Sequence, residues 1–101
     1  MSYLYQLHVH AQEDYETSVI WYMERSTKAA ENFIAAIDNA LALICNNPTR
    51  WHNKYKNYYE LGLKKYPFRI IYTIDEVNEL IIVTSIYHQK RNPRKKYNRK
   101  K

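Results

Sequence analysis

The sequence predicts an α+β fold in which a helical hairpin packs on one face of a small, mainly antiparallel sheet. Three observations indicate this fold. Residues 3–9 alternate like a strand, residues 11–47 repeat apolar side chains at helical spacing, and residues 58–87 contain three β-rich segments separated by short breaks. The predicted element order is β-α-α-β-β-β. One domain is expected, because 101 residues leave too little apolar surface for a second core.

A change of periodicity near residue 10 separates the first strand from the first helix. Residues 3–9 alternate between two faces, which is typical of a strand. From Ala11 to about Glu24 apolar residues recur at spacings of three and four, which predicts a helix. Its acids lie early in this segment, where they are expected to complement the positive end of the helix dipole: Glu13, Asp14 and Glu16.

One apolar stripe marks the second helix. Ser26 or Thr27 is expected to cap its start, and the helix should end at residues 46–48, because Pro48 cannot continue a helix and Asn adopts the left-handed terminal conformation readily. The short connection to the first helix predicts an antiparallel helical hairpin. The stripe that should face the sheet consists of Ala30, Phe33, Ile34, Ile37, Ala40, Leu41 and Ile44.

The rest of the sheet is predicted from the second half of the chain. Residues 48–57 are interpreted as an irregular connector, and the strands should span Tyr58 to Lys64, Phe68 to Asp75 and Leu80 to Tyr87. The sheet face away from the helices is expected to be free for a partner. In the core, Phe33, Ile37 and Leu41 are expected to pack against Ile70, Tyr72 or Ile82.

The loop between the last two strands decides which side chains share a face, and it leaves two registers open. A two-residue loop places Arg69 opposite Ile86 and on the same face as His88. A three-residue loop places Arg69 opposite Ser85 and turns His88 to the other face, because a one-residue slip exchanges the two faces of a strand.

Positive charge is concentrated at the end of the chain. Residues 88–101 hold eight of the 16 Lys and Arg and none of the 10 Asp and Glu, so residues 1–87 are close to neutral. Such an asymmetry predicts a surface that meets a polyanion or an acidic protein. Residues 93–101 are interpreted as a basic tail of the single domain, disordered unless a ligand holds it.

Several kinds of site are excluded by what the sequence lacks. The chain has one glycine, so a glycine-rich phosphate loop is absent. Cys45 is the only cysteine and is interpreted as an inert buried thiol, while His8, His10 and His52 lack a ligand spacing, so we expect neither a metal nor a cofactor. No leader peptide pattern and no apolar run of about 20 residues occurs, which predicts a cytoplasmic protein without a membrane partner.

Two segments in the second half of the chain are distinctive: residues 66–72 (Tyr-Pro-Phe-Arg-Ile-Ile-Tyr) and residues 88–93 (His-Gln-Lys-Arg-Asn-Pro). Together with the predicted order of elements, they resemble the RelE/ParE superfamily of bacterial toxins. Residues 9–15 and 46–48 are similar to the same family, and the resemblance covers about residues 3–94. It implies a growth-arresting toxin of a type II toxin–antitoxin module, of the kind linked to plasmid stabilisation, and a cognate acidic antitoxin as partner. RelE-like members cut messenger RNA on the ribosome, whereas ParE-like members inhibit DNA gyrase.

The resemblance also suggests site residues for a metal-independent endoribonuclease. Such an enzyme needs a general acid, a general base and cations that stabilise the phosphorane. Arg69 and His88 match an arginine and a histidine that share a site in RelE-like nucleases, and Arg91 is a third candidate, as a phosphate clamp. The alternative for Arg69 is a pair with Glu60. Residues predicted to bind nucleic acid or the antitoxin are Lys64, Lys65, Lys90, Arg94 and Lys95.

Three functions remain open at this point. A ribosome-dependent messenger RNA endonuclease requires that Arg69, His88 and Arg91 converge. A toxin that poisons DNA gyrase requires only contacts from its surface and tail. A non-catalytic nucleic-acid-binding domain outside a toxin module would explain the basic edge and the 11 tyrosines, but not the family-like order of elements.

Overall fold

A five-stranded sheet with two helices on one face forms the protein, and the computed structural model describes residues 3–89. The strand order is β1-β5-β4-β3-β2, in which β1 is parallel to β5 and all other neighbours are antiparallel. The α+β prediction is therefore confirmed. The elements are β1 (Leu4–Leu7), α1 (Val9–Met23), α2 (Thr27–Asn46), β2 (His52–Tyr55), β3 (Tyr58–Gly62), β4 (Phe68–Asp75) and β5 (Leu80–His88).

The predicted connector over residues 48–57 contains a strand, so the predicted element order lacks one element. β2 pairs with β3 at the edge of the sheet, where Asn53 lies opposite Tyr59 and Tyr55 lies opposite Tyr58, with an irregularity between Asn53 and Tyr55. Its four residues, His-Asn-Lys-Tyr, carry no apolar alternation. Periodicity therefore could not reveal it, because an edge strand of this kind is held by backbone hydrogen bonds rather than by a buried face.

Helix α1 begins two residues earlier than predicted. His8 is its N-cap, and its Nδ1 accepts a hydrogen bond from the His10 backbone N–H at 3.3 Å. The first turn of α1 contains no acid. The predicted interaction of Glu13, Asp14 and Glu16 with the helix dipole is therefore wrong, because these residues lie beyond the first turn, where the field of the helix end has faded.

Helix α2 begins and ends where its sequence signals predict. The Ser26 Oγ accepts a hydrogen bond from the Ala29 backbone N–H at 2.9 Å, and the helix ends at Asn46, before Pro48. Asn47 caps the end with a φ of −147°, so the left-handed conformation expected there is not used. No helix among residues 3–89 is long and apolar enough to cross a bilayer.

The apolar stripe of α2 forms the helical side of the core. Phe33 and Ile44 are fully buried, and only Ile34 of the predicted stripe is half-buried. On the sheet, Ile70 and Tyr72 join the same cluster as predicted.

The sequence prediction is wrong for Ile82, which lies opposite Thr73 outside this cluster. Ile81 and Val83 fill the core instead, because the register turns these two side chains toward the helices.

The β4–β5 hairpin turns around Val77 and Asn78, where the Glu79 backbone N–H donates a 3.4 Å hydrogen bond to the Glu76 carbonyl, so the predicted two-residue loop and its register are observed next to the turn. Asp75 lies opposite Leu80, and the pairing then shifts by one residue between Ile71 and Tyr72. Thr84 is the extra residue of this bulge. Beyond a bulge, the side chains of the bulged strand point to the opposite faces from those that strict alternation predicts, while the partner strand is unchanged. The length of the turn does not reveal such a bulge.

Candidate functional site

Arg69 and His88 lie at the same end of the sheet but on opposite faces. Arg69 lies opposite Tyr87, whereas its neighbour Phe68 lies opposite His88. Directly paired residues share a face, and successive residues of one strand alternate between faces. The shared site expected from a two-residue loop is therefore not formed by Arg69 and His88, because the bulge at Thr84 shifts the pairing between the turn and these two residues.

A buried carboxylate holds the side chain of Arg69. The Arg69 Nε donates a hydrogen bond of 2.8 Å to the Oε1 of Glu60, and the exposed fractions of the two side chains are 27% and 1%. The alternative left open from the sequence, a pair with Glu60, is the one observed. The pair stabilises a carboxylate that burial would otherwise make costly.

The only glycine of the chain makes room for this guanidinium. Gly62 lies opposite Arg69, and a Cβ on Gly62 would lie 2.7 Å from the Arg69 Nη1. The Arg69 side chain therefore folds across the backbone of β3 toward Glu60. Its positive charge is offset by the Glu60 carboxylate, which reduces the charge that it could direct at a phosphorane.

The sheet face away from the helices, which the sequence predicted to be free for a partner, contains side chains that are buried. Ile71 has no exposed surface and lies opposite Glu60, although it does not belong to the core cluster on the helical face. Arg69 adds its guanidinium to this face. A partner would therefore meet a charged and partly filled surface here.

His88 lies beside an aromatic cavity on the helical face. Its ring contacts Phe68 edge-on, with ring centroids 5.1 Å apart and an interplanar angle of 76°. The cavity has a volume of about 120 Å³ and is lined by Ser18, Trp21, Tyr22, Pro67, Phe68 and His88. Among residues 3–89, no Lys, Arg, Asp or Glu belongs to this lining. The cavity suits an apolar or aromatic group rather than a phosphate dianion.

Asp14 holds α1 to the edge of β5, a role that the sequence does not reveal. Its Oδ2 accepts hydrogen bonds from the Ile86 backbone N–H at 3.1 Å and from the Ser85 Oγ at 3.3 Å. The pairing of β1 with β5 ends at Val83. Asp14 thus serves as a hydrogen-bond acceptor for the part of β5 that β1 does not cover. No local pattern could indicate this contact, since the two partners are 72 residues apart.

The remaining predicted site residues are two lysines and the basic end of the chain. Lys64 and Lys65 are exposed and follow β3, at the end of the sheet where Gly62 pairs with Arg69. The predicted residues beyond the described range 3–89 are Lys90, Arg91, Arg94 and Lys95.

The sequence matches, over residues 5–93, the family described as the ParE toxin of type II toxin–antitoxin systems, parDE. The chain belongs to this ParE toxin family. It is therefore a toxin of a type II toxin–antitoxin system, as the RelE/ParE resemblance implied, rather than a nucleic-acid-binding domain outside a toxin module. No protein with curated annotation has a significantly similar sequence.

Solved structures show the same fold at low sequence identity. A chain of the chromosomal ParDE toxin–antitoxin system from P. aeruginosa is 12% identical, with a TM-score of 0.72, over 86% of this chain and 96% of that one. The isolated RelE toxin of E. coli is 13% identical, with a TM-score of 0.60, over 91% of this chain and 89% of that one. A chain of the RelBE2 toxin–antitoxin complex from Mycobacterium tuberculosis is 13% identical, with a TM-score of 0.60, over 87% of this chain and 99% of that one.

Proposed function

We propose that this ParE-family toxin arrests growth by binding and inhibiting DNA gyrase, without cleaving RNA. One observation carries the proposal: Arg69 is paired with the buried Glu60, on the sheet face opposite His88. A nuclease of the kind predicted from the sequence needs the arginine and the histidine around one phosphate, and this geometry separates them.

Family membership supports the same target. The matched family carries the ParE name, and the resemblance set out from the sequence associates ParE-like toxins with DNA gyrase and RelE-like toxins with messenger RNA on the ribosome. A poison that acts by binding requires a surface of suitable shape and charge but no general acid or base. The cavity beside His88, with its apolar lining, is compatible with contact to a protein side chain.

The regulator of the toxin is proposed to be a cognate acidic antitoxin. Residues 88–101 contain eight Lys and Arg and no acid, and Lys64 and Lys65 are exposed at the same end of the sheet as the start of that segment. The similar solved chains include toxins from ParDE and RelBE toxin–antitoxin systems. An acidic antitoxin segment would dock as a helix or as an added strand that reaches this basic end.

The choice between the two targets is tested by two reactions with the purified toxin. One measures the supercoiling of relaxed plasmid by DNA gyrase, and the other measures cleavage of messenger RNA during translation in vitro. Two toxin variants accompany the wild type. His88→Gln removes the imidazole, and the double variant Glu60→Gln/Arg69→Gln removes the guanidinium without leaving a buried carboxylate unpaired. Thermal melts and antitoxin binding show whether each variant is folded.

Wild type and both variants should inhibit gyrase to a similar extent and leave the messenger RNA intact. Cleavage by the wild type that falls about 10²–10⁴-fold in His88→Gln would overturn the proposal, because that is the usual contribution of general acid–base catalysis. A wild type that is inactive in both reactions would contradict it as well.

A further inference from the structure

We propose that strand β1 pairs with β1 of a second copy of this chain, antiparallel, so that the sheets of two molecules join into one. The inference concerns the edge of the sheet opposite β2 and depends on neither gyrase nor an antitoxin. It rests on the direction of the backbone groups of β1, on the exposure of its side chains and on the charges around it.

Alternate residues of β1 direct their backbone groups away from the sheet. The N–H groups of Leu4 and His8 donate hydrogen bonds of 3.1 and 2.8 Å to carbonyls in and just before β5. Since the residues that bond to a neighbouring strand alternate along a ladder, the N–H and C=O groups of Tyr5 and Leu7 point outward. The described part of the chain places no further strand beyond β1, so this edge can accept one.

The side chains of β1 suit pairing with a copy of the same strand. Leu4 is 77% exposed and Tyr5 is 46% exposed, at the rim of the helical face. Antiparallel pairing centred on Gln6 places Tyr5 opposite Leu7 of the second copy. Both residues point outward, so the two symmetric pairs form about four backbone hydrogen bonds. The Tyr5 ring of each copy then covers an apolar side chain of the other.

The two edges of the sheet differ in how they are protected. Residues 1–12 contain no Lys, Arg, Asp or Glu, so β1 is uncharged. β2 contains Lys54, is followed by Lys56 and is irregular between Asn53 and Tyr55. Charges and irregularities on an edge strand hinder pairing with another chain. β1 is therefore the edge that remains open to pairing.

The charged groups around this edge are mainly acids. Glu79 lies at the start of β1, where its carbonyl accepts the Leu4 N–H. Burial, followed by the nearby Asp38 and Tyr5, raises the pKa of Tyr15, so a second acid lies on the helical side of the edge. On α1, Glu13 lies 3.9 Å from His10, and the Glu16 carboxylate accepts a hydrogen bond from Gln12.

These charges favour a second copy over an acidic segment. An acidic strand would meet further acids at this edge, whereas β1 of another molecule brings no charge of its own. Antiparallel pairing also places the Glu79 end of one copy beside His8 and His10 of the other. A two-fold contact of this kind uses the same surface on both molecules, so the assembly closes at two copies. With four residues in each strand, the association should be weak and depend on concentration.

A cysteine at the proposed two-fold axis tests the geometry in the full-length protein. Gln6→Cys places two thiols opposite each other, where Cα atoms of a non-hydrogen-bonded pair are about 4.5 Å apart, within the range for a disulfide. Mild oxidation should therefore produce covalent dimers rapidly. Leu4→Cys is the matched control, because the two Leu4 positions would lie about 13 Å apart and should cross-link much more slowly. Cys45 is buried and common to both variants.

Sedimentation equilibrium measures the association without a cross-link. The average mass of wild type should rise with concentration from 12.3 kDa toward twice that value. Tyr5→Pro removes one outward N–H from each copy and no bond to β5, so the dissociation constant should rise about 5- to 150-fold, the effect of two hydrogen bonds. Tyr5→Lys places like charges at the edge and should also weaken the dimer. Thermal melts show whether each variant is folded.

The matched control for charge is Tyr55→Lys at the opposite edge of the sheet, because Tyr55 is 45% exposed and should leave the dissociation constant unchanged. A wild type that remains at the monomer mass at every concentration would overturn the proposal. Equal cross-linking rates for the two cysteine variants would overturn it too, as would a dissociation constant that Tyr55→Lys raises as much as Tyr5→Lys, since another surface would then join the copies.

Discussion

At the scale of single residues, the arrangement of Glu60, Gly62 and Arg69 decides how the predicted site must be interpreted. An arginine on a middle strand is a natural candidate for a phosphate clamp. Here one of its donors is occupied by a carboxylate that is almost completely buried, and the missing side chain of Gly62 allows that contact. Removing Arg69 takes a hydrogen-bond donor away from a buried carboxylate, so the pair contributes to the stability of the fold.

Gly62→Ala should destabilise the protein, although alanine is otherwise the better residue in a strand. Its Cβ would collide with the Arg69 Nη1 and displace the guanidinium from Glu60, with a cost of about 1–3 kcal/mol for weakening a hydrogen bond to a buried acceptor. Urea denaturation measures the effect. In the Glu60→Gln/Arg69→Gln background the same substitution should cost much less. An equal loss in both backgrounds would mean that the collision does not act through the ion pair.

The phenol of Tyr72 makes the stability of the fold depend on pH at alkaline values. Its hydroxyl donates a 2.6 Å hydrogen bond to the Pro48 carbonyl, and burial, followed by the neighbouring Tyr59, raises the pKa of the Tyr72 phenol well above its ordinary value of 10.0. The unfolded chain therefore loses this proton first as pH rises. The stabilisation that the protonated Tyr72 phenol provides is complete below about pH 10, and it decreases as the pH rises further toward the pKa of Tyr72 in the folded state.

Tyr72→Phe should lower the free energy of unfolding at neutral pH by about 0.5–1.5 kcal/mol, the usual worth of one hydrogen bond. Between about pH 9 and pH 11, stability should fall less steeply in the variant than in wild type. The two proteins differ only at this hydroxyl, so the difference in slope reports Tyr72. Parallel slopes would show that its phenol is not protected in the folded state.

At the scale of elements, the amphipathic pattern of α2 is the strongest determinant of the core. Phe33, at the centre of the stripe, stacks on Tyr22 of α1 at 4.8 Å and contacts Phe68 of β4 at 5.1 Å, both measured between ring centroids. One side chain therefore joins both helices to the sheet. Phe68 in turn contacts His88, so packing of α2 also positions the cavity that His88 lines.

Ile37→Ala should cost roughly 2–5 kcal/mol, because Ile37 is 1% exposed at the centre of this helix face. Such a loss is a large part of the stability of a small domain. A thermal melt measures it. Leu43→Ala is the matched control on the same helix, since Leu43 is 48% exposed and its loss should change stability by no more than about 0.5 kcal/mol. Equal melting temperatures for the two variants would contradict the assigned face.

At the scale of the whole molecule, charge is divided between a compact part and a basic end. Residues 1–87 contain eight bases and ten acids, whereas residues 88–101 contain eight bases and no acid. Lys64 and Lys65 add exposed charge where β3 ends. A partner that neutralises this end would relieve like-charge repulsion, which is the physical basis for expecting an acidic antitoxin.

Affinity for the antitoxin should therefore decrease as salt increases from about 0.05 to 0.5 M, where screening shortens the reach of exposed charges. The change should be smaller for Lys64→Gln/Lys65→Gln than for wild type if both lysines contact the acidic segment. Titration calorimetry at each salt concentration measures the dissociation constants. An affinity independent of salt would remove the electrostatic part of the proposal while leaving apolar docking intact.

The α+β class, the two helices, the core face of α2 and four of the five strands were predictable from the sequence. Each of these features depends on residues that are close in the sequence, such as the apolar residues spaced around Ile37, the Ser26 cap and Pro48 after the end of α2. Such local signals do not depend on how distant segments of the chain pack. Strand β2 was not predictable, because its sequence, His-Asn-Lys-Tyr, has no apolar alternation that would mark a strand, although it pairs with β3.

Only the tertiary structure decided the relation between Arg69 and His88. The two-residue turn at Val77 and Asn78 was one of the two predicted from the sequence, but the bulge at Thr84 shifts the pairing of β4 and β5 by one residue and so exchanges the faces beyond it. The partners Glu60 of Arg69 and Ile86 of Asp14 come from other elements of the fold. Periodicity determines which residues of a segment are buried, but the pairing of distant segments determines which side chains meet.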